Sequence, residues 1–173
     1  MKELKLINPD NVTEEEVKGY DVREAARAVV FDTEVKIALL HVSKENYYKL
    51  PGGGLEADEE IIFALERECK EEIGCEIEVI NEIGSIIEYR KIFNLKQTSF
   101  CYLAKLKGEK GVSNFTDNEK EKGFEPVWLT YDEAIKALTE STVTNMERSS
   151  YIVPRDTAFL EKAKEYLTDL IIN

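Results

Sequence analysis

GGLEADEEIIFALERECKEEIGC, residues 53–75, is the stretch that decides the fold of this chain. A proline and three glycines end the preceding strand, and the apolar residues that follow recur every three or four positions. That spacing predicts an amphipathic helix whose apolar stripe packs on a sheet. Asp58 is the predicted N-cap, with Glu59 and Glu60 in the first turn, and Gly74 is the predicted end of the helix. The stripe consists of Ile62, Leu65, Cys69 and Ile73.

Three carboxylates in this stretch, Glu68, Glu71 and Glu72, are spaced i, i+3 and i+4 and therefore share one side of the helix. Like charges at this spacing repel each other, and the helix dipole disfavours anions in the last turns. Three glutamates taken alone usually form a solvated face. Here Arg67 and a glycine loop accompany them, and a divalent cation would offset both penalties. The pattern therefore predicts a metal site.

The composition describes an acidic, folded chain of 173 residues. This length suits one domain, so we expect a single domain over residues 1–173, with residues 1–20 as a polar N-terminal extension. Apolar residues make up 43% and charged residues 34%, which excludes a disordered chain. The net charge of −12 argues against a nucleic-acid polymer as partner. The sequence shows neither a long apolar run nor an apolar N-terminal segment, so we expect no membrane partner and a cytoplasmic location.

The cysteines and the histidine offer no alternative chemistry. Cys69, Cys75 and Cys101 form no C-x-x-C pair, which argues against a zinc site, and their apolar neighbours predict buried thiols. His41 is the only histidine, and it lies in an alternating apolar segment. It is therefore predicted to be a strand residue and not a catalytic base.

The remaining pattern predicts a mixed α/β protein. Strands and helices interleave without a regular βαβ repeat, which favours a mixed β-sheet flanked by helices. Residues 108–123 are polar and are predicted to form a long mobile loop, a feature that is often functional in a compact domain. The predicted strands are residues 26–31, 35–42, 47–50, 76–80, 84–89, 97–106 and 124–129, and the further helices are 131–139 and 154–171.

The opening stretch resembles the Nudix box at every fixed position. That pattern is a glycine, five residues, a glutamate, seven residues and then R-E-U-x-E-E-x-G-U, where U is apolar; here it runs from Gly53 through Glu59 to Cys75. Cysteine fills both U positions, where it serves as a small apolar side chain. Outside the box, Pro51 and the following glycines and the strand and helix at 124–139 are similar to the usual Nudix layout.

The resemblance implies a Nudix α/β/α sandwich that hydrolyses a nucleoside diphosphate linked to another moiety, with Mg²⁺ or Mn²⁺ as cofactor. Arg67 corresponds to the arginine that orients a glutamate, and Glu59 to a supporting residue. Elementary chemistry agrees, because a diphosphate repels hydroxide and Mg²⁺ bridges carboxylates to phosphates. The implied metal ligands are the carbonyl of Gly53 and the carboxylates of Glu68, Glu71 and Glu72.

The catalytic base follows from the resemblance only as a choice between regions. Some members of the family use a glutamate of the box, and others use one from the loop before the last strand. In that loop or beside it, Glu119 is our first candidate, followed by Glu121 and Glu125. Each of them could equally belong to an acidic solvated loop.

Arginines near the first strand are the candidate substrate ligands. Arg23 and Arg27 could pair with phosphate or ribose groups because a guanidinium suits phosphate geometry; the alternative is a surface ion pair. Arg155 and Asp156 are predicted to pair with each other near the start of the last helix; the less favoured alternative is that they reach the cleft.

The sequence leaves the substrate open among nucleoside triphosphates, ADP-ribose or other nucleotide sugars, and dinucleoside polyphosphates. A proline typical of the nucleotide-sugar group and a tyrosine typical of the dinucleotide group are both missing downstream of the box, where Tyr89 falls short. A nucleotide sensor usually lacks some box carboxylates, and an isomerase such as isopentenyl diphosphate isomerase needs further metal ligands. Many members pair, so a homodimer also stays open.

Overall fold

The computed structural model describes residues 1–140 and 148–172. A π-helical turn, Arg148–Ile152, leads into the last helix. In chain order the elements are β1 (Glu3–Ile7), α1 (Glu14–Val17), β2 (Asp21–Phe31), β3 (Ile37–Val42), β4 (Tyr47–Lys49), α2 (Ile61–Ile73), β5 (Glu76–Arg90), β6 (Leu95–Lys107), α3 (Asp117–Lys122), β7 (Phe124–Leu129), α4 (Tyr131–Thr139) and α5 (Val153–Ile172).

One mixed sheet joins the strands in the order β1-β5-β6-β2-β3-β4, and β7 pairs with β3. β2 runs parallel to β6 along its whole length, whereas it meets β3 only at Phe31 and Ile37. The sheet therefore consists of two groups of strands. β2 is the last strand of the group β1-β5-β6-β2, and the second group contains β3, β4 and β7. The loop after β4 lies along this divide, where Ala26 N donates to Gly53 O at 2.9 Å and Ala28 N donates to Pro51 O at 3.1 Å.

Alternation along β2 distributes its side chains between two helical layers. Ala26, Ala28 and Val30 belong to the apolar cluster that includes the stripe of α2. Val29 and Phe31 belong to the opposite cluster, which α4 and α5 cover. The expected α/β/α sandwich with a mixed sheet is therefore confirmed.

The ends of α2 were predicted with different success. Gly74 ends the helix with a φ of 67°, as predicted. Asp58 is not the N-cap: the helix begins at Ile61, after Glu60, and Asp58 has a φ of 60°. The physical reason is that Glu59 stays in a turn before the helix, where its carboxylate accepts from Glu56 N and from Arg67.

Two further predictions needed correction. The segments predicted as separate strands at 76–80 and 84–89 are one strand, β5, which tolerates irregular pairing at Val79–Asn81 and Glu82–Gly84. The polar segment 108–123 is not loop throughout, because α3 forms within it. Thr116 caps α3, and both ends of its capping box are made.

The N-terminal residues extend the sheet. β1 pairs with β5 in parallel, and Thr13 caps α1. Tyr151, just before α5, donates its hydroxyl to Asp10 at 3.0 Å. The first twenty residues therefore support the region where α5 begins.

The remaining structural predictions on single residues are confirmed. All three cysteines are free and buried. His41 lies in β3, where its ring stacks on Tyr48. The described helices include none with the length and apolar character that crossing a membrane requires.

Candidate active site

A cleft of about 400 Å³ opens where the start of β2, the glycine loop, α2 and the first turn of α5 meet. Its acidic lining residues are Glu68, Glu72 and Glu119. Its cationic lining residues are Arg23, Arg27, Lys49, Arg90, Lys122 and Arg155. Six cations against three glutamates give the lining of the cleft a net positive charge, in a chain whose net charge is −12. Such a lining suits an anionic ligand.

Arg67 organises the glutamates of α2 and of the loop before it. Its guanidinium donates to both carboxylate oxygens of Glu59, at 2.8 and 2.9 Å, and to Glu68 at 2.9 Å. Glu71 is more distant, at 3.5 Å, and its side chain is 44% exposed. The hydrogen bond from Arg67 lowers the pKa of Glu59 to about 2. Arg67 thus neutralises part of the acidic cluster and fixes the direction of Glu68.

Glu72 is buried at the base of the cleft, with 2% of the residue exposed. Its two oxygens accept from Gly52 N at 2.6 Å and from Lys49 Nζ at 2.8 Å. Burial raises the pKa of Glu72, and Lys49 together with the Gly52 amide offsets part of this rise. The carboxylate is therefore held in one orientation by partners from two different elements.

The glycine loop lies so close to β2 and to α2 that Gly52 and Gly53 have no room for side chains. Gly52 has a φ of 129°, and a Cβ there would overlap the backbone of Ala26 and Arg27. A Cβ on Gly53 would overlap the carboxylate of Glu68. The glycines are needed here because the loop brings backbone and carboxylate into direct contact.

Arg27 and Arg23, the candidate substrate ligands, both line the cleft, but their environments differ. Arg27 is 6% exposed; its Nη1 donates to Ala26 O at 3.3 Å, and its Nε has no hydrogen-bond partner. Burial lowers the pKa of Arg27 to about 10. Arg23 is exposed and donates to Gln97 Oε1 at 3.1 Å. Arg27 is thus a buried cation that lacks a close anionic partner among the described residues.

A buried polar network that the sequence interpretation missed forms the wall behind these arginines. Glu88, which is fully buried, accepts from Arg90 at 2.9 Å and from Gln97 at 2.7 Å, and lies 3.6 Å from Arg155. Arg155 and Asp156 do pair, at 2.7 Å, as predicted. Arg155 also lines the cleft, which was the less favoured alternative for this pair. The available signal was the alternation of polar residues along β5 and β6, at positions 88 and 90 and at 97 and 99.

The three candidate bases lie in different environments. Glu119 lines the cleft, but its carboxylate accepts from Thr116 N and Oγ1, both at 2.8 Å, in the capping box of α3. Glu121 is exposed and is not among the lining residues. Glu125 pairs with His41 at 2.8 Å across β3 and β7. Only the first candidate is therefore close to the glutamates of α2.

The donor chemistry of this site fits a hard divalent cation. Carboxylate oxygens of Glu68 and Glu72 and the backbone of Gly53 line one cleft, and Mg²⁺ prefers oxygen ligands. The carbonyl oxygen of Gly53 accepts a hydrogen bond from Ala26 N, and its second lone pair is left to bind a cation. Within residues 1–140 and 148–172, no three His, Cys, Asp or Glu side chains are gathered tightly enough to enclose an ion, since Arg67 and Lys49 hold the carboxylates.

The sequence of this chain matches that of a known protein family. The sequence profile of the NUDIX domain matches residues 21–148. No protein in the curated set matches the chain significantly.

Solved structures with the same fold have low sequence identity. A Nudix hydrolase from Nitrosomonas europaea superposes with a TM-score of 0.63 at 18% identity, covering 84% of this chain and 90% of its own. The MutT protein of Methanosarcina mazei Go1 gives 0.59 at 14%, covering 85% and 96%. An ADP-ribose pyrophosphatase of Streptococcus suis 89-1591 gives 0.52 at 19%, covering 82% and 92%.

Proposed function

This chain belongs to the Nudix family of pyrophosphohydrolases, and we propose that it cleaves the diphosphate of a nucleoside diphosphate linked to another group, with Mg²⁺ or Mn²⁺ as cofactor. The observation that carries the proposal is that carboxylates and arginines line the same cleft. Glu68 and Glu72 contribute carboxylates to the lining, and Arg27 contributes a guanidinium that has no close anionic partner among the described residues. A diphosphate bridging a cation and a guanidinium would satisfy both kinds of group.

The cofactor would be held by Glu68, Glu71 and Glu72, together with the carbonyl of Gly53. A bound divalent cation would screen the phosphate charge and lower the pKa of a coordinated water. Arg67 would keep Glu68 directed into the cleft through their 2.9 Å hydrogen bond. In this proposal the glutamates of the box bind the cation, and Arg67 orients Glu68.

Lys49 and the Gly52 amide would keep Glu72 ionised despite its burial. Desolvation favours the protonated form, and a protonated carboxyl is a poor ligand for a hard cation. Both groups donate to Glu72 within 2.8 Å and so favour its anionic form. In this proposal Lys49 is a positioning residue that acts through Glu72.

Arg27 and Arg23 would bind the phosphate oxygens. Arg27 is already desolvated, so its N–H groups lose little hydration when an anion arrives. A guanidinium that donates to a phosphate also stabilises charge as the anhydride bond breaks. Arg155, which is paired with Asp156, would keep the wall positive from behind.

Glu119 is our proposed base because it is the only one of the three candidates within the cleft lining. To accept a proton it would have to exchange its hydrogen bonds to Thr116 for one to water. Thr116→Val tests this idea, because it removes the side-chain half of the capping box while leaving Glu119 in place.

The decisive experiment is a substrate panel with Mg²⁺ or Mn²⁺ and identification of products. It should contain nucleoside triphosphates, dinucleoside polyphosphates and ADP-ribose, the last because one structure of the same fold is an ADP-ribose pyrophosphatase. We expect cleavage within a diphosphate, abolished by chelator and at least 100-fold slower in Glu71→Gln. Binding of these compounds without cleavage would instead support a nucleotide sensor.

A further inference from the structure

We propose that the cleft recognises the phosphates and sugar hydroxyls of its substrate and does not recognise a nucleobase. A sugar phosphate that carries a diphosphate would then be cleaved as readily as a nucleotide. The inference rests on the proposed function and narrows its substrate class. Three features carry it: the composition of the lining, the covering of nearby aromatic rings, and the saturation of the one amide side chain.

The lining offers charge where a base would need apolar surface. Small-molecule sites are usually lined by hydrophobic and aromatic side chains. Here nine lining residues are charged, and the only aromatic and aliphatic ones with large side chains are Tyr47, 3% exposed, and Ile152. Residues 141–147, STVTNME, which the structure does not describe, include no aromatic residue. No open ring face therefore lines the described part of the cleft.

Aromatic rings close to this wall are covered by cations. The guanidinium carbon of Arg90 lies 5.3 Å from the ring centroid of Tyr151, which is 2% exposed. Lys49 Nζ lies 5.2 Å from the centroid of Phe124, whose ring also meets Phe115 edge-on. These contacts favour the cations and leave the same ring faces unavailable for stacking. Arg90 and Lys49 therefore occupy ring faces of Tyr151 and Phe124 on which a base would otherwise have to stack.

Gln97 is the only amide side chain among the described lining residues, and its hydrogen-bonding groups are committed. Its Nε2 donates to Glu88 at 2.7 Å and to Ser99 at 3.1 Å, while its Oε1 accepts from Arg23. Reading a base requires donors and acceptors matched to the edge of that base. A cationic donor such as Arg27 instead suits phosphates and hydroxyls. Among the described lining residues, the cleft therefore offers cationic donors for phosphates and hydroxyls but no uncommitted amide side chain for the edge of a base.

Phe93 is the exposed ring that could contradict this inference. It lies in the hairpin between β5 and β6, close in sequence to Arg90, and is 47% exposed. A base that extends out of the cleft could stack on it. The variant Phe93→Ala therefore belongs in the test.

The experiment compares kcat/KM for ATP, GTP, CTP, UTP and 5-phosphoribosyl 1-diphosphate, which has no base. Stacking on a protein ring is worth about 1–3 kcal/mol, so a base-binding site would change kcat/KM by about 5- to 150-fold. We expect the four nucleotides to agree within about threefold, the compound without a base to match them within that range or exceed them, and Phe93→Ala to leave every ratio unchanged. Arg27→Met should slow all five alike.

A preference above about tenfold for one base overturns the inference, and so does failure to cleave only the compound that lacks a base. A loss of nucleotide cleavage in Phe93→Ala does the same. If none of the five is cleaved, the wider substrate panel still decides the proposed function, and calorimetry decides the recognition question separately. Binding of 5-phosphoribosyl 1-diphosphate within about threefold of ATP supports the inference, whereas ATP binding more than about tenfold tighter overturns it.

Discussion

Replacing Arg27 with methionine should make the protein more stable and less active at once. The guanidinium is 6% exposed, its Nε has no partner, and burial lowers its pKa from 12.5 to about 10. Each unit by which the pKa is lowered corresponds to about 1.4 kcal/mol, so burying this charge lowers the free energy of unfolding by about 3 kcal/mol. Methionine keeps most of the side-chain volume without the charge. Allowing for lost packing, we expect a gain of about 2 kcal/mol, or about 4–8 °C in Tm.

The same variant removes the proposed phosphate donor. One charge-assisted hydrogen bond is worth about 1.5–3 kcal/mol, so kcat/KM should fall about 10- to 150-fold. Thermal unfolding and steady-state kinetics on one preparation measure both effects. Arg155→Met is the matched control: that guanidinium is buried but paired with Asp156 at 2.7 Å, so its loss should destabilise by about 3–5 kcal/mol. A lower Tm with unchanged kinetics in Arg27→Met would refute the assignment of Arg27 to substrate binding.

Three further predictions concern the box and its loop. Glu72→Gln should keep the circular dichroism spectrum but lower kcat at least about 100-fold, while Glu66→Gln, on the exposed side of α2, should be fully active. The pKa of Glu59 is lowered to about 2 by Arg67, so its stabilisation is present above about pH 4.5 and is lost as the pH falls towards 2; urea unfolding of Glu59→Gln at pH 7 and pH 3 should lack this part of the acid loss. Gly53→Ala pushes a Cβ into a box carboxylate and should lower kcat/KM at least about tenfold, whereas Gly19→Ala, where the nearest atom lies 3.7 Å away, should not. Wild-type rates in Glu72→Gln or Gly53→Ala, or an unchanged acid loss in Glu59→Gln, would contradict these assignments.

Elements with strong local signals were predictable from the sequence. The C-terminal end of α2 follows from an apolar stripe that stops at a glycine with positive φ. The boundary between β7 and α4 follows from Thr130, which caps α4 through a complete capping box. Both boundaries depend on residues within one or two turns of the chain. Local physics is sufficient in such cases.

The errors arose where distant partners or overlooked caps decide the structure. Glu59 was placed in the first turn of α2, but Arg67, eight residues away, holds it in the preceding turn. β5 was divided in two because its irregular pairing with β6 interrupts the alternation. α3 was read as loop because it has no apolar stripe, although Thr116 and Glu119 carry the capping-box pattern. In the first two cases the information lies in tertiary pairing.

The candidate site shows the same division. The placement of Glu68 and Glu72 in one cleft agrees with their helical spacing, whereas Glu71 is 44% exposed and is not among the lining residues. The rest of the lining draws on Arg90 and Gln97, from the consecutive strands β5 and β6, and on Arg155, which comes from α5 much later in the chain. Their convergence depends on the strand order of the sheet, which periodicity alone does not specify.

Binding of Mn²⁺ to the protein, followed by its electron paramagnetic resonance signal, tests the central proposal most directly. If the glutamates beside Arg67 hold the cofactor, the wild type will deplete the free-ion signal in the presence of methylenediphosphonate, and Glu68→Gln will weaken that affinity at least about tenfold. Equal Mn²⁺ affinity in the wild type and the variant would contradict the metal site on which the proposed reaction depends.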